Sequence, residues 1–130
     1  MKLGKEERLR SRSLIEKLFS GDSAESAMSF PLRIVYMTGK PAQDGACVKI
    51  LVSVPKRHFR HAVDRNRVKR QIREAYRKNK TILEKSLAAR PDEMVVVAFV
   101  WTDSSHRKSS EVEHRVKSLL QRVAERLESV

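Results

Sequence analysis

Histidine and carboxylate side chains at a spacing of three residues stand out first, because such groups bind metals or transfer protons. His58, His61 and Asp64 follow one another in this way. A zinc site needs three or four converging ligands, and the many cations around these residues would repel Zn²⁺. We therefore predict no metal site here: the histidines contact phosphate when protonated, and Asp64 is the N-cap of a helix. His106 and His114 have no partner that the sequence predicts.

Arginine and lysine side chains are concentrated in the same stretch. Residues 56–80 carry 11 Lys and Arg against two acids, a net charge of 11 − 2 = +9. The whole chain carries 28 Lys and Arg against 16 Asp and Glu, a net charge of +12. A charge that served only solubility would be spread over the surface. This local excess instead predicts a docking site for an acidic partner such as nucleic acid.

A helix is predicted to position these charges. Residues 62–79 place Val68, Ile72, Ala75 and Tyr76 on one arc, at about 100° per residue. One side is therefore expected to be buried while the other presents arginine forks, each of which pairs two phosphate oxygens. The basic positions are Arg65, Lys69, Arg73 and Arg77 on the flank of the arc, with Arg67 and Arg70 beyond it. A solvated basic face without a partner is the plainer alternative, and a membrane-surface helix is disfavoured because the apolar arc is needed for the core.

The remaining pattern predicts one α+β domain over residues 1–130, with helices packed on a small sheet and residues 1–10 flexible. A first helix lies in "SRSLIEKLFSG", with Ser11 or Ser13 as its N-cap and Gly21 as its stop. A last helix is expected to begin with a capping box of Ser110 and Glu113. The apolar stripe of the first helix is Leu14, Ile15, Leu18 and Phe19; that of the last helix is Val112, Val116, Leu119, Leu120, Val123 and Leu127.

Three apolar segments are predicted to be strands. "FPLRIVYM", with Pro31 at an edge-strand start, and "ACVKILVSV" are expected to form an antiparallel hairpin around the loop "TGKPAQDG". "MVVVAFVW" reads as a strand buried on both faces. The helix at 62–79 would then be a crossover that joins parallel strands. Cys47 is predicted to be a small buried strand residue, and Trp101 to lie at the edge of the core.

Composition limits the classes of protein that remain. One cysteine excludes an intramolecular disulfide framework and fits a reducing compartment. No apolar run approaches the roughly 20 residues that span a bilayer, and "MKLGKEERLR" lacks the apolar segment of a secretory signal. We therefore expect a cytoplasmic protein that binds no membrane.

The stretch "KRHFRHAVDRNRVKRQIREAYR" closely resembles the signature of the bacterial ribonuclease P protein component, whose core is the Arg65-Asn66-Arg67 triplet followed by Val68-Lys69-Arg70 and Ile72-Arg73. The resemblance extends to "LIEKLFSG", "FPLRIVY", "LVSVPKR" and "DEMVVVAFV", and it spans roughly residues 8–125. It implies a two-layer α/β sandwich like the second domain of ribosomal protein S5, with a small, mostly antiparallel sheet and a left-handed crossover through the long basic helix.

The resemblance also implies a function. In that family a catalytic RNA removes the 5′ leader of precursor tRNA with the help of Mg²⁺. The protein contributes no catalytic group and binds no cofactor of its own, and it associates with the RNA subunit and with the precursor but not with DNA. Residues implied to contact RNA are Lys56, Arg57, Arg65, Asn66, Arg67, Lys69, Arg70 and Arg73.

A cleft for the single-stranded leader is implied between the first helix and the sheet. Its residues would be Ile15, Phe19, Phe30 and Arg33, with the two phenylalanines stacking on unpaired bases. Ile15 stands where the family often has an aromatic residue, and Arg33 where some members have Tyr. The alternative for Phe19 and Phe30 is ordinary core packing.

Three rival functions remain. A protein-only nuclease would need a carboxylate cluster or a histidine pair, and acids are sparse in the basic stretch. A general RNA-binding or ribosome-associated module is compatible with the composition, and only the extended family pattern argues against it. A DNA-binding role lacks the helix that precedes a recognition helix in a helix-turn-helix motif.

Overall fold

The computed structural model describes residues 7–20, 24–40 and 46–129. Its elements are α1 (Arg12–Ser20), β1 (Glu25–Ser29), β2 (Leu32–Gly39), β3 (Val48–Ser53), α2 (Ala62–Asn79), α3 (Thr81–Leu87), β4 (Met94–Trp101) and α4 (Ser109–Glu128). The predicted α+β class and the helix over residues 62–79 are confirmed. Within these described ranges, no helix is long and apolar enough to cross a membrane.

The four strands form one sheet in the order β1-β2-β4-β3. β1 pairs antiparallel with β2, and β2 pairs antiparallel with β4, whereas β3 and β4 run parallel. The predicted hairpin of β2 and β3 is therefore wrong, because β4 lies between them. An apolar strand is favoured at the sheet centre, where both its faces are covered, and seven of the eight β4 residues are buried. The predicted crossover through α2 is confirmed, since it joins the parallel pair β3 and β4.

The sheet separates two cores of unequal size. The larger core lies between one sheet face and α2, α3 and α4, and its members include Phe99, Val68 and Leu119. The smaller core lies on the opposite face, where Leu18 of α1 and Leu9 pack against β2 and β4. α1 therefore covers one part of this second face. The rest of the face is available to a ligand only where strand side chains are exposed.

Pro31 lies in a different context from the one predicted. β2 pairs on both sides, so Pro31 does not begin an edge strand. It instead occupies the turn between β1 and β2, behind a cis Phe30–Pro31 peptide bond. Its carbonyl oxygen accepts hydrogen bonds from the backbone N–H and the hydroxyl of Thr102, both at 2.9 Å. This turn is thereby bound to the end of β4.

Two elements, β1 and α3, were not predicted from the sequence. β1, "ESAMS", has a polar composition because it is a sheet edge, with three of its five residues exposed. α3 directly follows α2, and Lys80 between them keeps helical backbone angles (φ −62°, ψ −23°). No glycine or proline marks this junction. Edge strands and helix junctions of this kind carry little periodic signal, which explains both omissions.

Several local predictions also have an outcome. Ser11 caps α1, since its hydroxyl accepts from Leu14 N–H at 3.4 Å. The capping box at Ser110 is wrong, because α4 begins at Ser109 and its N-cap, Lys108, makes no side-chain cap bond. Cys47 is half-buried just before β3 rather than buried in the strand. Gly21 and residues 41–45 of the predicted loop lie outside the described residues.

Candidate nucleic-acid interface

α2 separates its buried and solvent-facing sides as the sequence predicts. Val68, Ile72, Ala75 and Tyr76 are all buried in the larger core. A membrane-surface role for this apolar arc is therefore contradicted, because the arc is already packed against the sheet and α4. The opposite side of the helix consists almost entirely of polar and basic residues.

The structure places all eight predicted RNA-contacting residues on α2 or in the loop before it. Lys56 and Arg57 are exposed in that loop, which follows β3. On the helix, Asn66, Arg67 and Arg70 are exposed. Three further positions on the helix are partly buried: Arg65, Lys69 and Arg73.

The two acids of α2 are already engaged within the protein. Asp64 lies 3.0 Å from His106, and Glu74 is held by Arg77, whose hydrogen bond lowers the pKa of the glutamate. At the C-terminal end of α2, Lys78 approaches Glu113 at 3.9 Å. The positive charge that remains for a partner is therefore concentrated in the loop and in the N-terminal part of the helix.

Three cations of that N-terminal part have no carboxylate partner. Within the described ranges of the chain, no ion pair or hydrogen bond involves the side chains of Arg67, Lys69 or Arg70. These residues repel one another, and the repulsion is relieved when phosphates approach and displace counterions. A solvated basic face without a partner would show the same unpaired cations, so this alternative stays open.

Arg65 differs from the other arginines of α2. Its Nη1 donates hydrogen bonds to the backbone carbonyls of Phe59 and Arg60, both at 2.8 Å. These carbonyls belong to the turn that leads from the basic loop into the helix. Arg65 therefore fixes the path of the loop that carries Lys56 and Arg57.

Histidines hold the same loop from the side of α4. The His106 ring stacks on buried Phe59, with centroids 4.6 Å apart and planes at 22°. Its Nε2 lies 3.0 Å from the Asp64 carboxylate, the distance of a hydrogen bond that the imidazole donates. His58 meets Ser104 at 3.1 Å in a parallel contact between the two loops. The N-cap prediction for Asp64 is wrong, since α2 begins at Ala62 and the aspartate serves as the partner of His106.

No sequence signal pointed to His106. It lies 42 residues from Asp64, and only the packing of the β4–α4 loop against the start of α2 brings the two together. The spacing of His58, His61 and Asp64 suggested a cluster that the fold does not build. In the part of the chain that the structure describes, no group of three or more His, Cys, Asp or Glu is arranged to hold a metal ion.

A second candidate surface lies on the sheet face that α1 covers only in part. Arg33 shares this face with Val35 of the smaller core, because alternate strand residues point the same way, and it is exposed. Its cross-strand neighbours are Met28 and Val100. Phe19, on α1, is 49% exposed. Phe19 and Arg33 are therefore both exposed, and they belong to two elements, α1 and β2, that pack against each other on this side of the sheet.

The other two predicted cleft residues lie in different surroundings. Ile15 is half-buried and packs against the edge of the smaller core. Phe30 is 54% exposed in the β1–β2 turn, and the guanidinium carbon of Arg107 lies 5.6 Å from its ring centroid. Core packing, the alternative for Phe19 and Phe30, is contradicted by the exposure of both rings.

This chain is similar in sequence to proteins of one known family. The sequence model of the family described as "Ribonuclease P" matches residues 3–124. The ribonuclease P protein component of Porphyromonas gingivalis is 42% identical over 101 residues, covering 78% of this chain and 72% of that protein. The corresponding protein of Chlorobaculum tepidum is 34% identical over 123 residues, covering 85% of this chain and 78% of that protein.

A solved structure has the same fold. The ribonuclease P protein from Thermotoga maritima superimposes with a TM-score of 0.66 at 20% sequence identity, covering 89% of this chain and 96% of that one. At this identity the similarity concerns the architecture, and it confirms the fold class expected from the sequence.

Proposed function

The chain belongs to the ribonuclease P protein family, and we propose from this that its α2 surface binds the RNA subunit of the enzyme. Ribonuclease P is an endoribonuclease made of RNA and protein, and this chain is its protein component in the 5′ maturation of tRNA. The proposed surface consists of the eight basic and amide residues of α2 and its preceding loop.

One observation carries the assignment of this surface. Arg67, Lys69 and Arg70 have no carboxylate partner among the described residues, on a helix whose own two acids are engaged elsewhere. Phosphates of a folded RNA supply the missing negative charge, and arginine forks bind them in pairs of hydrogen bonds. Arg65 and His106 support the surface by holding the basic loop against the start of α2.

The leader of precursor tRNA is proposed to bind on the uncovered sheet face beside α1. Phe19 offers an exposed ring on which an unpaired base stacks, and Arg33 offers a charge to the neighbouring phosphate. Phe30, which is exposed at the β1–β2 turn with Arg107 over its ring, is proposed as a second stacking position for the leader. Ile15 supports this face from within the smaller core.

The chemistry is proposed to reside in the RNA subunit. The Mg²⁺ that the holoenzyme is proposed to require is assigned to the RNA, because the described residues include no group of three or more His, Cys, Asp or Glu that could hold a metal ion. The protein's part is to neutralise phosphate repulsion and to hold the precursor in position. We place this activity in the cytoplasm, because the relatives are bacterial proteins of tRNA processing.

The decisive experiment is cleavage of a 5′-extended precursor tRNA at low Mg²⁺. The protein alone, a bacterial ribonuclease P RNA alone and the two together are compared. We expect cleavage only in the combined reaction. Cleavage by the protein alone would contradict the absence of a catalytic group. If the combination is inactive while the RNA cleaves at high Mg²⁺, a general RNA-binding module is favoured instead.

The leader surface has a separate test. Phe19→Ala is expected to weaken holoenzyme binding of leader-bearing precursor by about 1–3 kcal/mol, the value of one base–aromatic stack. Binding of mature tRNA is expected to stay unchanged, and so is the melting temperature, since the ring is half exposed. Equal weakening for both RNAs would contradict a leader contact at Phe19.

A further inference from the structure

The residues just before α1 are held against the outer edge of β3. Arg8 forms an isolated parallel bridge with Ile50, and Leu9 N–H donates to the Ile50 carbonyl at 2.8 Å. Leu9 is buried in the smaller core, and the carboxylate of Glu7 lies 3.1 Å from Lys80. Arg8 is therefore fixed between two anchored neighbours.

Arg8 and Leu9 are expected to project to opposite sides of the sheet. Successive side chains of an extended segment point to opposite faces, and Leu9 enters the core on the α1 side of the sheet. Arg8 accordingly lies on the side of the sheet that is covered by α2, the helix that carries Arg73. Burial lowers the pKa of Arg73, and the charge of Arg8 lowers it further, as expected of two neighbouring guanidinium groups.

Neither arginine has a carboxylate partner in the part of the chain that the structure describes. Across residues 7–20, 24–40 and 46–129, neither Arg8 nor Arg73 forms an ion pair, and Arg8 Nε is buried without a hydrogen-bond acceptor. The nearest acids along the chain have other partners: Glu74 is bound to Arg77, and Glu7 to Lys80. A buried donor without an acceptor is unfavourable, and an oxygen acceptor supplied by a binding partner would satisfy it.

We propose that Arg8 and Arg73 together bind one phosphate group of the RNA subunit. This inference rests on the proposed function of α2 and extends that interface onto the segment before α1. Two guanidinium forks match the several oxygens of a phosphate, and its negative charge removes their repulsion. The RNA subunit is the favoured source, because Arg73 belongs to α2, whereas the proposed leader surface lies on the other face of the sheet.

The first test uses the protein alone with inorganic phosphate. Its melting temperature is measured against phosphate concentration at constant ionic strength, with chloride as the balancing ion. The melting temperature of the unaltered protein is expected to rise with phosphate, and Arg8→Ala should reduce that rise to roughly half or less. Arg8→Lys, which keeps the charge but loses the fork, should fall between the two. Lys117→Ala, which removes an exposed charge of α4, is the matched control and should keep the full rise. An unchanged rise in Arg8→Ala would overturn the site.

The second test measures affinity for ribonuclease P RNA as a function of salt. Arg8→Ala should lower the affinity about tenfold and reduce the slope of log K against log salt by about 0.7–0.9, the value of one phosphate contact. Because both arginines share that phosphate, Arg8→Ala combined with Arg73→Ala should cost little more than either change alone. Additive losses would contradict a shared phosphate.

The outcomes separate this inference from the function on which it rests. If the unaltered protein binds the RNA and Arg8→Ala binds equally well, the α2 assignment stands and the Arg8 site is wrong. If the unaltered protein does not bind the RNA, the α2 assignment itself fails. A loss confined to leader-bearing precursor, with assembly unchanged, would place the phosphate in the leader and contradict the RNA-subunit site.

Discussion

α2 and α4 are two long amphipathic helices that pack side by side on the same sheet face, yet two exposed arginines of α4 bind the protein's own backbone and two exposed arginines of α2 do not. α4 carries four basic and four acidic residues, and α2 carries seven basic and two acidic residues. In α4, Arg122 donates to the Met28 carbonyl at 2.6 Å and Arg126 to the Ser26 carbonyl at 3.2 Å. In α2, Arg67 and Arg70 contact no acceptor of the described protein.

Arg122 and Arg126 therefore stabilise the fold, whereas Arg67 and Arg70 are available to bind a partner. Arg122 and Arg126, four residues apart, cover two outward-facing carbonyls of the edge strand β1, and this coverage hinders pairing with another strand. Charge alone does not distinguish such residues from those of α2. The distinction comes from whether the guanidinium finds an acceptor within its own chain.

The largest effect on RNA binding is expected when the two arginines of α2 without an internal acceptor are replaced. Arg67→Ala combined with Arg70→Ala should weaken binding of ribonuclease P RNA roughly 10- to 100-fold near 0.15 M salt, and reduce the salt slope by about 1 per arginine. The melting temperature should not fall, because no internal contact is lost. Filter binding at several salt concentrations and thermal unfolding measure both quantities. A lowered melting temperature with unchanged affinity would reverse the assignment.

Arg65 lies between the two kinds of arginine. Arg65→Ala removes two hydrogen bonds to loop carbonyls, so we expect a loss of about 1–2 kcal/mol in the free energy of unfolding. It should also weaken RNA binding, because the loop with Lys56 and Arg57 loses its support. Denaturant unfolding and RNA titration of the same preparation test this. Weakened RNA binding at full stability would mean that Arg65 contacts RNA directly.

The smallest effect is expected in α4. Arg122→Ala removes one exposed hydrogen bond to β1, so the free energy of unfolding should fall by about 0.5–1 kcal/mol. Affinity for the RNA should not change, in contrast to the α2 variants. Gln121→Ala, at a neighbouring exposed position, is the control for loss of side-chain bulk. An affinity loss in Arg122→Ala would extend the RNA interface to the β1 edge.

Much of α2 was predictable from the sequence because its periodicity and its charge agree. Four apolar residues at helical spacing fixed the buried side, and the basic residues then had to occupy the rest. The family resemblance added the function, which charge alone would have left open among several RNA-binding roles. The solvent exposure of Phe19 and Phe30 was expected only through the family resemblance, since by apolar pattern alone such aromatic residues are more often buried.

The failures have a common physical cause. The position of β4 between β2 and β3, the contact of His106 with Asp64 and the bridge of Arg8 to Ile50 all join residues far apart in the chain. Local patterns carry no information about such partners. β1 was not predicted for a different reason: an exposed edge strand needs few apolar residues, so it lacks a hydrophobic pattern.

The place of β4 in the sheet also determines when the fold can form during synthesis. β2 and β3 share no hydrogen bonds, and each pairs with β4, which is made only at residues 94–101. Apart from the short bridge between Arg8 and Ile50, a growing chain therefore carries β3 without a strand partner until most of the protein has been translated. High contact order of this kind slows folding and leaves unpaired strands open to association with other chains. The nascent protein consequently depends on late, concerted closure of its sheet rather than on stepwise folding from the N-terminus.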